Sequence, residues 1–105
     1  MPKVFITQET TNIDYTPAVQ FGDLVFVSGI HDRLSPHPNS LNNANIMKRV
    51  CSALDQFEPD DYLVCSGSPA MMAIVGNLLG EKLHNVLIWD NRESKYFNLE
   101  LEKLI

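Results

Sequence analysis

The sequence predicts a small α/β domain with a mostly parallel sheet of about five strands. Three short apolar runs lack the polar alternation of a half-exposed strand, which is typical of strands covered on both faces. These runs are LVFVS at 24–28, YLVC at 62–65 and VLIW at 86–89. Two segments with helical spacing separate the runs, as parallel strands require. A fourth run near the C-terminus alternates and predicts an antiparallel partner for the run before it.

The first part of the chain predicts two strands joined by a loop. Val4–Thr7 is rich in β-branched and aromatic residues, which favour strands. Leu24–Ser28 is the first of the continuous apolar runs. The polar stretch 8–20 contains a proline and predicts a loop. A second loop is predicted over 29–43, and loops of this length are usually functional or mobile.

A first helix is predicted over about Ala44–Phe57. Apolar residues recur every three or four positions along it, which gives the helix one apolar face. That face consists of Ile46, Val50, Leu54 and Phe57. Asn42 or Asn43 can cap the start of the helix. The proline in Glu58–Asp61 ends it, because proline cannot continue the hydrogen-bond ladder, and the carboxylates of this segment are expected in a solvated turn.

A second helix is predicted from Pro69 to about Leu83. Ser68 is a suitable N-cap, and Pro69 suits the first helical position. This helix is apolar on most sides, so it is expected to pack closely against the sheet.

The last strand, Tyr96–Leu101, is predicted to be half-exposed. Phe97, Leu99 and Leu101 fall on its apolar face, and Asn98 and Glu100 fall on the other. The element order β–β–α–β–α–β–β predicts a Rossmann-like domain with an antiparallel C-terminal hairpin. Two helices are few for about five strands. We therefore expect an uncovered apolar patch and, with it, a protein partner or a homodimer.

Composition excludes several classes of protein. The 105 residues form one expected domain, 1–105, and their 45% apolar content excludes disorder. The net charge of −5, with scattered basic residues, argues against direct binding of nucleic acid. No run approaches the roughly 20 apolar residues of a membrane span. The N-terminus lacks the apolar block of a signal peptide, so a cytoplasmic location is expected. Cys51 and Cys65 are expected to be buried free thiols.

Candidate binding residues follow the carboxyl ends of the apolar strands, where ligands bind in parallel α/β sheets. They are His31, Asp32, Ser66, Gly67, Ser68, Asp90 and Arg92. The turn Ser66–Pro69 leads into a helix N-terminus, where free N–H groups favour an anionic small molecule. A tight turn with an ordinary helix cap explains the same residues. Neither GxxxxGK[ST] nor GxGxxG is present.

Two further constellations have a functional and a structural interpretation. His31 and Asp32 could serve as base and orienting carboxylate of a hydrolase, with Ser28 or Ser66 as nucleophile, or they are exposed loop residues. No standard metal spacing occurs, so no metal and no cofactor are expected. Trp89, with the aromatics that begin the last strand, favours cross-strand packing, with a base-stacking platform as the alternative.

The chain resembles an uncharacterised family of small α/β proteins of tailed bacteriophages. Its members share the pattern DDYLL-x-x-G-x-P, a small-residue-rich helix and V-x-x-L-x-WD-x-x-x-x-x-Y-x-x-x-x-L. The matching residues are Asp60, Asp61, Tyr62, Leu63, Gly67, Pro69, Trp89, Asp90 and Tyr96. This chain departs from the pattern at Ser66, Ser68 and Ile88, the last of which stands where a basic residue is expected. The resemblance covers most of the chain except 29–43.

The resemblance implies a phage origin and a compact α/β fold, and it brings no activity and no catalytic residues. We therefore expect a non-enzymatic phage accessory protein in the host cytoplasm. It would bind a host or phage protein, for instance in the host's defence machinery. The alternative is a domain that binds an anionic small molecule or nucleotide at Ser66–Pro69. A hydrolase that uses His31 and Asp32 is the third hypothesis.

Overall fold

A computed structural model describes residues 1–104 and confirms the predicted fold class. Five strands form one sheet: β1 Lys3–Ile6, β2 Asp23–Phe26, β3 Tyr62–Val64, β4 Asn85–Asp90 and β5 Lys95–Glu100. The strand order is β2-β1-β3-β4-β5. The first four strands are parallel, and β5 pairs antiparallel with β4.

Two helices connect the parallel strands, α1 Leu41–Leu54 and α2 Pro69–Leu79. Helix α1 begins three residues before the predicted start, because the Ser40 side chain caps it by accepting a hydrogen bond from the Asn43 N–H at 3.2 Å. Helix α2 begins at Pro69 behind the Ser68 cap, as predicted. It ends before the predicted Leu83, because the chain leaves the α-helix at Gly80, whose φ is +52°.

Both helices pack on the same face of the sheet and form the larger core there. The predicted apolar face of α1 lies in this core. The buried members are Phe5, Val27, Ile46, Val50, Leu54, Phe57, Leu63, Met71, Val75 and Leu79. None of these buried residues comes from β4 or β5, so the helices do not cover the helix-side face of the C-terminal hairpin.

A short segment, residues 10–21, covers the opposite face of the sheet. A 3₁₀ helix, Thr16–Phe21, lies almost wholly within the predicted loop 8–20, and Pro17 is its second residue. The buried residues on this face are Val4, Ile6, Tyr15, Ala18, Val64, Leu87 and Tyr96. We call residues 10–21 the covering segment, because both helices lie on one face of the sheet and this segment covers the other.

Strand β5 alternates as predicted, but its buried face is not the predicted apolar one. Trp89 lies opposite Tyr96, and Ile88 lies opposite Phe97. Tyr96 is buried under the covering segment, whereas Phe97 and Leu99 are exposed. The predicted apolar face of the strand, with Phe97 and Leu99, is therefore the exposed one, because no helix lies over it.

Two further expectations about single residues are corrected by the structure. Asp61, expected in a solvated turn, is buried, and its carboxylate accepts hydrogen bonds from the N–H groups of Lys3 and Glu58, both at 2.8 Å. Cys51 and Cys65 are free, as expected, but both are exposed. Within residues 1–104, no helix is both long and apolar enough to cross a membrane.

Candidate functional site: an aromatic groove beside the C-terminal hairpin

Buried hydrogen bonds join the carboxyl ends of β1, β2 and β3. The Thr7 hydroxyl donates to the Ser66 carbonyl at 2.6 Å and accepts from the Ser66 N–H at 2.8 Å. The Ser28 hydroxyl donates to the Thr7 carbonyl at 2.7 Å. Since all three side chains are buried, these bonds fix the relative positions of the three strand ends.

The covering segment is attached to this edge through Tyr15. Its hydroxyl shares a hydrogen bond of 2.6 Å with the Ser66 hydroxyl and accepts from the Thr10 N–H at 3.1 Å. The Ser66 hydroxyl is therefore engaged in a structural contact. Within the described chain, no hydrogen bond joins His31 to Ser28 or Ser66, and a hydrolase role for His31 stays a prediction.

Gln8 holds the turn that was expected to bind an anion. Its side-chain carbonyl accepts from the Ser68 N–H at 2.8 Å, and its amide donates to the Asp32 carbonyl at 2.8 Å. Gly67 has a φ of +86°, and a side chain there would collide with Gln8. The Met71 N–H bonds the Ser68 hydroxyl, and proline at position 69 has no N–H. These donors at the start of α2 are thus already used or missing.

Asp32 is held by α1. Its carboxylate accepts from the Gly29 N–H at 2.7 Å and from both terminal nitrogens of Arg49, at 2.8 and 3.0 Å. The Arg49 guanidinium, and secondarily the Gly29 N–H, hold the pKa of Asp32 below its ordinary value. Asp32 therefore fastens the loop after β2 to the first helix.

The seven predicted site residues do not share one cavity. Ser66 lines the larger groove, whereas Asp32 and Ser68 line a smaller depression of about 350 Å³. Asp90 accepts the Arg92 N–H at 2.8 Å and so stabilises the hairpin turn. The remaining residues, His31, Gly67, Asp90 and Arg92, line neither cavity. A ligand-binding role for these seven residues stays a prediction.

The larger groove, of about 640 Å³, lies at the carboxyl ends of β3 and β4, between the covering segment and the hairpin. We call it the aromatic groove. Its lining consists of Asn12, Ile13, Asp14, Tyr15, Pro17, Val64, Cys65, Ser66, Leu87, Ile88, Trp89, Asn91 and Tyr96. Its volume falls within the range of small-molecule and side-chain pockets, about 300–1,000 Å³.

An aromatic pair forms one wall of the groove. The rings of Trp89 and Tyr96 lie 5.0 Å apart, edge to face, which is the cross-strand packing that the sequence favoured. The Trp89 indole N–H donates to the Asn91 side-chain oxygen at 2.8 Å, which fixes the ring. Cys65 contributes an exposed thiol to the lining, and partial desolvation by the groove walls raises its pKa.

The only carboxylate among the lining residues is Asp14. One of its oxygens accepts from the Thr16 N–H at 2.9 Å, at the start of the 3₁₀ helix. Hydrogen bonding to Thr16 lowers the pKa of Asp14, so the carboxylate is ionised at neutral pH. The groove therefore combines apolar and aromatic walls with one negative charge. No group of three or more metal-ligating side chains occurs among residues 1–104.

A second exposed feature lies on the other face of the hairpin. Ile88, Phe97 and Leu99 are 45%, 41% and 37% exposed and share the helix-side face, which the helices leave open. We call these three residues the hairpin patch. The Lys95 ammonium lies 4.9 Å from the centre of the Phe97 ring at its margin. This patch is the uncovered apolar area that the shortage of helices predicted.

Sequence reasoning missed the residues that organise the edge, above all Gln8 and Tyr15. A signal for Gln8 was available, because it follows the carboxyl end of β1 just as the candidate residues follow the other parallel strands. Tyr15 and Asp14 lie in a stretch without periodicity, so no pattern pointed to them.

Comparison with known proteins places the chain in a family. The family model described as phage Pam3 gp32-like protein matches residues 2–103, which is nearly the whole chain. No curated protein and no solved structure matches the chain significantly. The match agrees with the phage resemblance of the sequence and assigns no activity. The chain belongs to the phage Pam3 gp32-like protein family, a family of small bacteriophage proteins.

Proposed function

We propose that this phage protein acts without catalysis, by binding a different protein, of the host or the phage, through the hairpin patch. The observation that carries the proposal is the exposure of Ile88, Phe97 and Leu99 together on one sheet face. Contiguous exposed apolar side chains rimmed by charged residues are typical of protein-binding surfaces. Lys95 at the patch margin supplies such a charged rim.

Area and charge favour a different protein over a second copy of this chain. A fully exposed large apolar side chain has an area of about 200 Å². The exposed fractions of the three patch side chains therefore add up to about 250 Å² of apolar surface. A stable interface buries about 800 Å² on each partner. Two copies that met at this patch alone would fall short of that area, and each carries a net charge of −5. A larger partner with a neutral or basic rim can extend beyond the patch.

The test compares variants of the patch with a control outside it. Phe97→Thr and Leu99→Thr remove apolar surface of the patch outside the aromatic groove and place threonine, a β-branched residue that suits a strand, in β5. Leu41→Thr removes an exposed side chain at the start of α1, outside the patch. Tagged variants are recovered from infected cells, and native mass spectrometry measures the bound partner. We expect wild type and Leu41→Thr to retain a stoichiometric partner, and the double patch variant to lose it at least tenfold.

A variant in the loop after β2 tests whether partner binding depends on His31, the candidate catalytic base of the hydrolase hypothesis. His31→Ala changes an exposed side chain, and under this proposal it leaves partner binding unchanged. Full retention of the partner by the double patch variant would show that the patch is not the binding surface. A second copy of the chain as the only bound molecule would equally contradict the proposal.

A further inference from the structure

We propose that the aromatic groove is a second binding site, which takes an arginine or lysine side chain carried on an extended apolar peptide. Apart from Ile88, which also borders the groove, the hairpin patch lies on the other face of the sheet, because Trp89 and Tyr96 face the covering segment, whereas Phe97 lies on the open, helix-side face. This proposal therefore goes beyond the proposed function, and either one can fail alone.

The charge of the groove selects a cation. Asp14 is the one carboxylate among its lining residues, and the lining contains no lysine, arginine or histidine. Thr16 hydrogen-bonds Asp14, and the side chain of Asp14 stays exposed, so a ligand can reach its carboxylate. Arginine and lysine are the side chains that pair with a carboxylate at neutral pH. The net charge of −5 also attracts a basic segment at longer range.

The walls of the groove select an apolar stem. Ile13, Pro17 and Trp89 present carbon surface beside the carboxylate, and Ile13 and Trp89 are exposed. Arginine and lysine pack their alkyl stems along apolar surface while the charged end stays near water. The face of an exposed tryptophan adds a favourable contact with a guanidinium or ammonium group.

The shape of the site favours a peptide over a free metabolite. The groove runs along the margin of the sheet, with exposed side chains on the covering segment and on the hairpin. Small-ligand sites bury roughly 70–90% of their ligand. A groove with exposed walls leaves a free amine largely in water, whereas a peptide gains further contacts through the residues on either side of its cation.

Trp89 provides the assay, because it is the only tryptophan in the chain and lies in the groove. The probes are three blocked pentapeptides, Thr-Leu-X-Leu-Thr, in which X is arginine, neutral citrulline or glutamate. We expect the arginine peptide to change Trp89 fluorescence saturably. The citrulline peptide should bind at least fivefold more weakly, and the glutamate peptide should not saturate.

Two aspartate variants test the charge. Asp14→Asn removes the charge but keeps an oxygen that can accept the Thr16 N–H, so the local turn is preserved. Asp23→Asn makes the same change in net charge at the opposite, amino-terminal end of a strand. We expect Asp14→Asn to weaken binding of the arginine peptide at least fivefold, to the citrulline level, and Asp23→Asn to leave it unchanged.

The exposed thiol in the groove gives an independent readout. In a Cys51→Ser background, Cys65 is the single thiol, and saturation with the arginine peptide should slow its reaction with a thiol reagent severalfold. The Phe97→Thr/Leu99→Thr variant, whose two changed residues lie outside the groove lining, should bind the peptide as wild type does. Equal binding of all three peptides, insensitivity to Asp14→Asn or an unprotected Cys65 would each overturn the proposal.

Discussion

Asp32 shows how one side chain fixes the long loop after β2. It pairs with Arg49 and accepts the Gly29 N–H, and these contacts lower its pKa in the folded protein. The unfolded chain, with an Asp pKa of about 3.9, therefore takes up a proton first as the pH falls. The contribution of Asp32 to the free energy of unfolding is thus complete at neutral pH and disappears as the pH falls through the folded pKa.

Asp32→Asn should accordingly destabilise the protein at neutral pH and not in acid. We expect a loss of about 1 kcal/mol at pH 7, since Arg49 is largely exposed to solvent and the pair is partly screened. The difference from wild type should shrink below about pH 4. Urea unfolding at a series of pH values measures it, and Asp60→Asn, at an exposed position, serves as the control. A loss of equal size at neutral and acid pH would refute the ion-pair explanation.

The hairpin β4–β5 shows how much of an element can be predicted from sequence. Alternation in Tyr96–Leu101 predicts a strand with two different faces, but it does not say which face the rest of the chain covers. That depends on the covering segment, whose 3₁₀ helix is too short to show a period. The apolar face of helix α1 was predicted correctly, because its apolar spacing persists over several turns and therefore shows a helical period. Gln8 and Tyr15 escaped prediction because they bond residues 60 and 51 positions away.

The reversed burial of β5 has a measurable consequence for stability. Tyr96 is buried against the covering segment, so Tyr96→Ala should lower the free energy of unfolding by about 3 kcal/mol or more. Leu99→Thr, on the open face of the same strand, should cost less than about 1 kcal/mol. Chemical denaturation of both variants measures the two costs. A larger loss for Leu99→Thr than for Tyr96→Ala would mean that the helix-side face of the hairpin is the covered one.

At the scale of the whole molecule, the two covers of the sheet differ in size. Two helices and a ten-residue buried cluster close one face, whereas the covering segment closes the other with one six-residue 3₁₀ helix. Its attachment depends on the Tyr15 hydroxyl, which bonds Ser66 at the sheet edge. A cover with few buried side chains opens locally at a lower free energy than the core. The segment that opens is also the one that carries Asp14.

Amide hydrogen exchange should therefore resolve two units within this small domain. We expect residues 10–21 to exchange by local opening at a lower free energy than α1 in the wild type. Tyr15→Phe should speed exchange in that segment about fivefold, because the loss of a buried hydrogen bond costs about 1 kcal/mol. Tyr62→Phe removes the same hydroxyl from a half-buried ring for which the described residues provide no hydrogen bond, and it should change neither unit. Equal opening free energies for the segment and α1 in the wild type would mean that the sheet and both covers open as one unit. If the segment opens alone, a peptide in the aromatic groove must slow that opening, because the segment forms one wall of the groove.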